Sequence, residues 1–414
     1  MLSTDSGCAG LVGVDQPTLA TPVVENAIAR ASNSTHCPAQ NFIVSATHTH
    51  SGGVGLPNAQ IWPSASQLTE AIATALESAA ANRQPARIGF GTTPVHLNVN
   101  RDLYEHGMWY QGPNPDGVSN KTLAVVALIG ADNYPIAFYL NYAMHPIDFY
   151  LSGVISADFP GDTARYIESR YDNKAVAVFA QSASGDQNPL FTGPMQRLLG
   201  TRTRTPGFDD ERFTAASPWK LSSQMVNANE VQTTQTKNPV TRGEQPAYQR
   251  AISLDSAMVT AMGAILGESA IDTFKHGMDS TRDDALLWAG QEVISCPGRE
   301  RLDMSVREGS MPPYRDDVPV QIKVGLLRIG DIYWATVDGE VYTDIWLHLK
   351  RESPVSKLMM VTLANGRAQS GYIYSDEAGA HLTFQVIGSR LKPGCAEAAI
   401  VGSALRLIRQ AAGQ

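Results

Sequence analysis

The stretch Asn41–Gly53, which reads NFIVSATHTHSGG, constrains this chain of 414 residues more than any other. An apolar run typical of a buried β-strand leads into two histidines, His48 and His50, and then into a glycine turn. Side chains two positions apart on an extended backbone lie on the same side, so both imidazoles are expected to face the carboxyl end of the strand. Neutral imidazole is a common metal ligand, and Gly52 allows close approach of backbone or substrate. The stretch predicts a metal or catalytic site, against the alternative of two histidines in a polar loop.

The composition is that of an ordinary globular chain that can bury a sizeable core. Hydrophobic residues make up 43% of the sequence and charged residues 17%, with a net charge of −8. This acidic balance, without a long basic run, argues against nucleic acid or an anionic membrane as the main partner. No apolar run reaches membrane-spanning length, and no basic patch and apolar segment follow Met1, so neither a transmembrane segment nor a signal peptide is expected.

Four cysteines bear on the cellular compartment. They have no CxxC spacing, which argues against a structural zinc knuckle or a thioredoxin-type site. They permit three fully paired disulfide patterns, or none, so the sequence does not decide between an oxidising and a reducing compartment. The four are Cys8, Cys37, Cys296 and Cys395.

Strands and helices alternate along the chain, which predicts an α/β fold. A helix at 22–31 leads back to the strand at 41–47 in a β-α-β unit, and two apolar strands at 122–129 and 134–142 predict a hairpin. From 190 to 245 the periodicity is lost, which favours a long surface excursion that forms part of a lid. Further helices are expected at 67–82, 162–170, 248–276, 343–350 and 396–412, and further strands at 87–91, 175–180, 286–294, 318–329, 333–337 and 357–363.

Residues that can bind a metal follow several of these strands. His145 comes just after the strand at 134–142, Glu340 after the strand at 333–337, and Tyr372 lies beyond the strand at 357–363. Ligand sites of α/β sheets gather at the carboxyl ends of the strands. Two histidines and one carboxylate with an open position form a catalytic zinc arrangement, in which the ion lowers the pKa of a bound water to near neutrality.

Seven short motifs occur in order over almost the whole chain: ATHTHSG, NRD around Arg101, NYAMHP, ISADFPG, FAQS with GDxxP, GE at 339–340, and LANG with GYI and FQV. Each is weak alone, but their order is specific. Through them the chain resembles the catalytic domain of the neutral/alkaline (non-lysosomal) ceramidases, zinc amidases that cleave the N-acyl bond of sphingolipids. The resemblance implies mixed multi-stranded sheets flanked by helices, with the zinc site at the strand ends. It also implies one catalytic domain over residues 1–414, without the family's first strands and carboxyl-terminal β-sandwich.

The resemblance implies a role for each candidate site residue. The zinc ligands would be His48, His145, Glu340 and Tyr372. A tyrosine ligand is unusual, because its phenol has a reference pKa near 10, and the alternative is a tyrosine that bonds to the water. The catalytic residues would be His50, Arg101 and Asn188. The substrate-binding residues would be Gly52, Gly185, Asp186 and Phe384.

His50 and Arg101 match positions that contact the substrate or the developing oxyanion. His50 is also suited to carry the proton to the leaving amine. For Arg101 the structural alternative is a surface salt bridge with Asp102. Asp148 and Asp158 are candidates to orient the ligand histidines, with loop capping as the alternative.

Two departures from the family pattern affect the expected substrate. Asn188 stands where the ceramidases have a serine, and Phe384 stands where they have a site tyrosine. Asn188 can donate a hydrogen bond but cannot act as a nucleophile. The changes favour a ceramidase-like relative that acts on another amide or ester, rather than a strict ceramidase of sphingolipid metabolism.

The leading hypothesis is therefore a zinc-dependent hydrolase of a linear amide, with a small or lipid-like N-acyl substrate. A zinc-dependent ester or lactone hydrolase is the runner-up, because the same electrophile and nucleophile serve both reactions. An amidohydrolase-type barrel would need more histidines at later strand ends, and a zinc-stabilised non-catalytic homologue is the further alternative. A secreted or periplasmic location is expected, with a cytoplasmic one as the alternative, and a homo-oligomer is compatible with the sequence.

Overall fold

The computed structural model of the protein describes residues 1–52, 63–150, 152, 154–191, 246–279, 281–283, 285–306 and 308–413. The excursion predicted for 190–245 lies almost entirely outside these residues, so its interpretation as a lid stays a prediction. Gly53, at the end of the opening motif, also falls outside the described part of the chain.

The elements follow one another in the order below. The strands are β1 (Leu2–Thr4), β2 (Gly7–Val14), β3 (Phe42–Ala46), β4 (Ala86–Pro94), β5 (Asn98–Glu105), β6 (Met108–Asn114), β7 (Thr122–Gly130), β8 (Pro135–Tyr142), β9 (Val176–Gln181), β10 (Gln187–Pro189), β11 (Leu287–Arg301), β12 (Tyr314–Ile329), β13 (Ile332–Val337), β14 (Glu340–Val341), β15 (Leu358–Val361) and β16 (Tyr372–Ile373). The helices are α1 (Thr21–Thr35), α2 (Ala65–Ala81), α3 (Asp158–Arg170), α4 (Pro246–His276), α5 (Thr343–Glu352), α6 (Phe384–Gly388) and α7 (Ala396–Ala412).

Two four-stranded sheets form the centre of the fold, with strand orders β4-β7-β8-β9 and β11-β12-β13-β15. Each is mixed, because β8 pairs with β9 and β13 with β15 in parallel, whereas the other neighbours are antiparallel. The parallel pair β2 and β3, joined through α1, forms the predicted β-α-β unit. The predicted α/β fold with mixed sheets flanked by helices is therefore confirmed.

Alternation along the central strands places the two sheets face to face between helical layers. Leu123, Val125 and Ala127 of β7 belong to a core that includes residues of α3 and α4, whereas Ala124 and Val126 point to a core shared with the other sheet. Strand β13 behaves in the same way, with alternate residues packed towards α5 and α7 or towards β7. Both faces of each sheet are covered, which explains why these strands read as continuous apolar runs.

The sequence did not predict the β5–β6 hairpin, the short strand β10, or a hairpin of β1 and β2 at the start of the chain. Strand β10 pairs with β5 in antiparallel register, with Asn188 opposite Val99. The residues of β5 are largely polar but buried, including Asn98, Asn100 and Asp102. Hydrogen bonds satisfy the buried polar side chains of this strand. Its sequence therefore lacks the hydrophobic alternation that predicts a strand.

One helix in the described part of the chain, Gln249–His276 within α4, is long and apolar enough to cross a membrane. A core helix of a water-soluble protein passes the same test, so this is weak evidence. Val259, Met262 and Leu266 of this helix are buried in the core below β7 and β8. The expectation of no transmembrane segment is consistent with that packing.

The four cysteines form two disulfides in the structure. Cys8 of β2 bonds to Cys37 just beyond α1, with their Cα atoms 5.6 Å apart. Cys296 of β11 bonds to Cys395, the residue before α7, with a Cα separation of 5.8 Å. Of the pairings that the sequence left open, the structure has this one.

His348 of α5 lies between two carboxylates and should make stability depend on pH. Its Nδ1 is 2.7 Å from Glu397 Oε1 and its Nε2 is 2.9 Å from Glu352 Oε1. The Glu397 hydrogen bond and then that of Glu352 raise the pKa of His348. A raised native pKa stabilises the fold fully below the unfolded-state pKa near 6.5, and the stabilisation is lost as pH rises through the native value.

We expect His348→Gln to remove a contribution of about 1 kcal/mol, because the pair is partly exposed. Urea unfolding at several pH values between about 5.5 and 8.5 would measure it. The wild type should lose its advantage over the variant as pH rises, whereas His276→Gln, at a histidine that is 72% exposed, should parallel the wild type. A constant difference between wild type and His348→Gln across this pH range would contradict the prediction.

Candidate metal centre

Four side chains at strand ends meet at one edge of the fold. His48 follows β3, His145 follows β8, Glu340 begins β14 and Tyr372 begins β16. Glu340 and Tyr372 are direct partners in the parallel pair of β14 and β16. His48 and His145 lie beyond strand ends, as expected, whereas Glu340 and Tyr372 begin two short strands that the sequence did not predict.

The prediction that an extended strand aligns His48 and His50 was wrong. Strand β3 ends at Ala46, and His48 has a φ of 70°, in the left-handed region, so the two histidines do not lie on an extended backbone. The loop is held instead by backbone hydrogen bonds, from His48 N to Gln16 O at 3.0 Å and from His50 N to Pro146 O at 3.0 Å. The two imidazoles meet because the loop turns, and not because of the two-residue period of a strand.

Three ligand atoms converge around one point. His48 Nε2 lies 3.0 Å from His145 Nε2. Glu340 Oε2 lies 3.2 Å from His48 Nε2 and 3.5 Å from His145 Nε2. Both imidazoles are buried, with exposures of 2% for His48 and 0% for His145. Such a set of two imidazoles and one carboxylate is the donor set that zinc binds in catalytic sites.

Backbone carbonyls fix the tautomers of the two buried histidines. His48 Nδ1 is 2.5 Å from Pro17 O, and His145 Nδ1 is 3.0 Å from Gln187 O. A carbonyl oxygen only accepts, so each Nδ1 carries a proton, and in the neutral imidazole each Nε2 then presents a lone pair. Metal-binding histidines are oriented in this way by carbonyls or carboxylates.

The residues fit a cation. Two Nε2 lone pairs that face each other at 3.0 Å cannot hydrogen-bond to each other, and they repel without a positive charge between them. Glu340 Oε2 is buried and has no hydrogen-bond donor among the described residues. A shared metal ion would satisfy all three atoms at once, so the geometry is consistent with a metal ion at this point.

Burial and neighbouring charges favour the protonation states of metal ligands. Burial, Arg101 and His48 lower the pKa of His145 to about 3, which keeps its imidazole neutral. Burial alone would raise the pKa of Glu340, but the neighbouring His48 holds it well below its usual range. Burial and the Glu340 carboxylate raise the pKa of Tyr372. Without a metal, the Tyr372 phenol therefore keeps its proton, and its ligation stays a prediction.

His50 lies beside this group but is held less tightly. Its Nε2 is 3.4 Å from His48 Nε2, and its ring is 5.2 Å from Tyr150 in an edge-to-face contact. Potential ligand atoms of His48, His50 and His145 all lie within 4.8 Å of one another, so this cluster can hold a metal ion. Burial, His48 and His145 lower the pKa of His50 well below its usual value. A catalytic His50 and a third histidine ligand are both compatible with this position.

Arg101 reaches the centre from strand β5 and is 2% exposed. Its Nε and Nη2 donate to Gly185 O at 3.1 and 2.6 Å, and its Nη1 donates to Asn188 Oδ1 at 3.2 Å. Nη2 also lies 3.4 Å from His145 Nε2. The rings of Tyr372 and Phe384 lie 5.3 and 5.6 Å from the guanidinium carbon. The arginine is thus fixed beside the metal position with its charge largely desolvated.

The surface salt bridge between Arg101 and Asp102 is not formed. Asp102 Oδ2 pairs with His381 Nδ1 at 2.9 Å, and the His381 ring stacks on Trp109 at 3.8 Å. The β5–β6 register shifts between Asn100 and Asp102, and the Arg101 side chain is bonded to Gly185 and Asn188 instead. Sequence reasoning missed this pair, because His381 is distant in the chain and has no flanking motif.

Gly52, Gly185 and Asp186 were predicted to bind substrate, and that role is untested. A Cβ on Gly52 would lie 2.7 Å from Asp15 O, and one on Gly185 would lie 2.9 Å from the Tyr342 ring. Both glycines therefore permit close packing of the protein on itself. Asp186 is 1% exposed and accepts hydrogen bonds from Asn100 Nδ2 and from Thr343 N at the start of α5. This position favours a structural role for Asp186.

Asp158 caps a loop and does not orient a ligand histidine. Its carboxylate accepts hydrogen bonds from Asp148 N at 3.0 Å and Phe159 N at 2.7 Å, at the start of α3. The carbonyls of Pro17 and Gln187 take the place of carboxylates behind the histidines. Of the two alternatives for Asp158, capping is the one that the structure has.

No protein-family model matches this chain. Its structure is similar to that of a ceramidase complexed with C2, with a TM-score of 0.65 and 13% sequence identity, over 96% of this chain and 67% of that one. The structure of a neutral ceramidase from Pseudomonas aeruginosa gives a TM-score of 0.61 and 14% identity, over 96% of this chain and 66% of that one.

The chain has the fold of the neutral ceramidases. The resemblance drawn from the ordered motifs is confirmed at the level of the fold, and the barrel alternative is wrong. This chain spans about two thirds of the length of each ceramidase. At 13–14% identity the likeness shows the ceramidase fold alone, so activity and substrate are matters for proposal.

Proposed function

We propose that this protein is a zinc-dependent hydrolase that cleaves a linear amide, the N-acyl bond of a small or lipid-like substrate. The observation that supports this most directly is the convergence of His48 Nε2, His145 Nε2 and Glu340 Oε2 at 3.0–3.5 Å. The ceramidase fold makes amide hydrolysis the leading reaction. Asn188 and Phe384, in place of the expected serine and tyrosine, argue against a strict ceramidase.

The residues that would hold zinc are His48, His145, Glu340 and Tyr372. Zinc bound there would polarise an acyl carbonyl and lower the pKa of a water towards neutrality. The chain contributes a buried, pre-oriented ligand set, because the Nδ1 atoms of both histidines are fixed on carbonyls. Ligation by Tyr372 requires loss of the phenol proton, whereas burial favours the protonated form.

Arg101 and Asn188 would stabilise the negative charge that develops on the carbonyl oxygen. Asn188 Oδ1 accepts from Arg101, so its amide NH2 is turned away from the arginine and remains a donor. Fixed donors of this kind stabilise a transition state more than the ground state. His50, half-buried beside His48, would transfer the proton to the leaving amine.

Removal of the metal should abolish activity. We expect purified protein to contain about one zinc per chain by elemental analysis, as in sites with three or four protein ligands. It should hydrolyse a short N-acyl chromogenic amide, with loss of turnover after chelation and recovery on addition of zinc. A matching ester and an N-acylsphingosine complete the substrate panel.

The substrate panel separates the alternatives. Turnover of the ester alone would favour the ester or lactone hydrolase. Zinc without turnover of any substrate would favour the non-catalytic homologue. Absence of zinc, or activity that is insensitive to chelation, would contradict the proposal.

We further propose a secreted or periplasmic location. The two disulfides, Cys8–Cys37 and Cys296–Cys395, support it, because such bonds persist in oxidising compartments and are rare in the cytoplasm. Protein purified from its native source under alkylating conditions should contain no free thiol before reduction and four afterwards. Free thiols before reduction would favour the cytoplasmic alternative.

A further inference from the structure

Gln181, the last residue of β9, has no part in the reaction proposed above. Its side chain is fully buried, and its Nε2 donates to two backbone carbonyls, Thr47 O at 3.0 Å and Met144 O at 2.7 Å. These two residues directly precede His48 and His145. One side chain therefore bonds to both segments that carry the facing imidazoles.

We propose that Gln181 is a positioning residue that sets the separation of His48 and His145 and thereby the metal affinity of the site. This inference rests on the proposed function, because it assumes that the two histidines bind zinc. It extends that function to a residue that contacts neither metal nor substrate.

The peptide groups before the two histidines are each held at both ends. In the first, Thr47 O accepts from Gln181 and His48 N donates to Gln16 O at 3.0 Å. In the second, Met144 O accepts from Gln181 and His145 N donates to Gln187 O at 3.1 Å. Because a peptide group is planar, fixing its oxygen and its N–H fixes its orientation. The Cα positions of both histidines follow from these orientations.

The sheet provides the anchor for Gln181. Its backbone pairs with Tyr142 in the parallel register of β8 and β9, and its carbonyl accepts from Thr362 N at 3.0 Å. The side chain thus extends from a position that is fixed on two sides. Small movements of the two histidine segments relative to each other would stretch one of its two hydrogen bonds.

Only a neutral amide suits this position. Both acceptors are carbonyl oxygens, so the residue must offer two protons, and the amide orientation follows because Oε1 would face those oxygens if it were flipped. Glutamate would offer no proton at neutral pH, and lysine would add a buried charge beside the metal position. Oε1 itself has no hydrogen-bond partner among the described residues, so the two donated bonds are what the side chain supplies here.

The test compares Gln181→Met with Asn141→Leu. Asn141, on the neighbouring strand β8, is also a buried amide, and its Nδ2 donates to Ala180 O at 3.2 Å and Met360 O at 2.9 Å. It joins the two central sheets, and neither of these two hydrogen bonds goes to a segment that carries a ligand histidine. Both variants lose two buried hydrogen bonds to carbonyls, so both should show a lowered melting temperature.

Zinc affinity is measured by competition with a chromogenic chelator. Gln181→Met should weaken the zinc affinity about 10- to 100-fold, the usual effect of removing a residue that orients the ligands without contacting the metal. Asn141→Leu should leave the zinc affinity near that of the wild type. Gln181→Asn keeps the amide but shortens its reach, and it is the second variant if Gln181→Met does not fold. Its zinc affinity should be lower than that of the wild type but weakened less than expected for Gln181→Met.

The outcomes separate this inference from the proposed function. A wild-type protein that does not bind zinc contradicts the proposed function itself. A wild type that binds zinc, with unchanged affinity in the folded Gln181 variants, overturns the inference about Gln181 alone. Equal weakening in the Gln181 and Asn141 variants also overturns it, because the effect would then come from general destabilisation.

Discussion

His48→Ala and Glu340→Ala should lose bound zinc and fall to background activity. His50→Ala should keep the zinc but lose about 10²- to 10⁴-fold in kcat, as expected for loss of a general acid–base residue. The reason lies in how the imidazoles are held. His48 is buried with Nδ1 on Pro17 O and faces His145 and Glu340 at 3.0 and 3.2 Å. His50 is half-buried and packs against Tyr150, and its Nε2 is further from His48 Nε2 than that of His145 is. Elemental analysis of each variant, paired with kcat on the amide, measures both properties.

His348→Gln is the control for this series, because it also removes a histidine but one outside the proposed site. That imidazole, in α5, is bonded to Glu397 and Glu352. It should retain zinc and rate. Loss of zinc from His50→Ala would show that the three histidines form the ligand set and that the division between ligand and catalyst is wrong.

Arg101→Met should keep zinc but lower kcat by about 10²- to 10³-fold, the usual effect of removing one donor to a developing oxyanion. Methionine has a similar length, but it offers no donor and no charge. The guanidinium of Arg101 lies 3.4 Å from His145 Nε2, so its loss removes a positively charged donor beside the metal position. The KM should change less than kcat, because the stabilised charge exists mainly in the transition state.

Arg299→Met gives a matched control for the loss of a buried arginine. Arg299 is 7% exposed, and it donates to Ser389 O and Val386 O, as Arg101 donates to Gly185 O. Both variants should be less stable, but only Arg101→Met should lose rate at the same zinc content. Unchanged kcat in Arg101→Met would show that the arginine serves packing alone.

The fold could be predicted where apolar residues alternate with turns. Strands β7 and β8, the long helix α4 and the β-α-β unit around α1 all follow from hydrophobic patterns that the structure buries. Strand β5 could not be predicted in this way, because hydrogen bonds such as those of Asn98 Nδ2 to Asn120 O and Ala143 O satisfy its buried polar groups. Patterns of hydrophobicity carry no record of such pairing.

The candidate site shows the same division. His48, His145 and Glu340 were found from their positions after strands, which is a local feature of the sequence. The partners that orient them were not, because Pro17 O and Gln187 O are backbone atoms and any residue could supply them. A polar residue at the end of an apolar strand, as in FAQS, was the one available sign of Gln181.

The three converging ligand atoms belong to residues almost 300 positions apart in the chain, from His48 to Glu340. No short segment of the nascent polypeptide carries the complete set, so the ion would be captured only by an almost finished molecule. Metal acquisition would then be the last step of maturation, after folding has brought the ligand residues together. Protein refolded in chelator and later given zinc should therefore recover as much bound metal as protein refolded with zinc from the start.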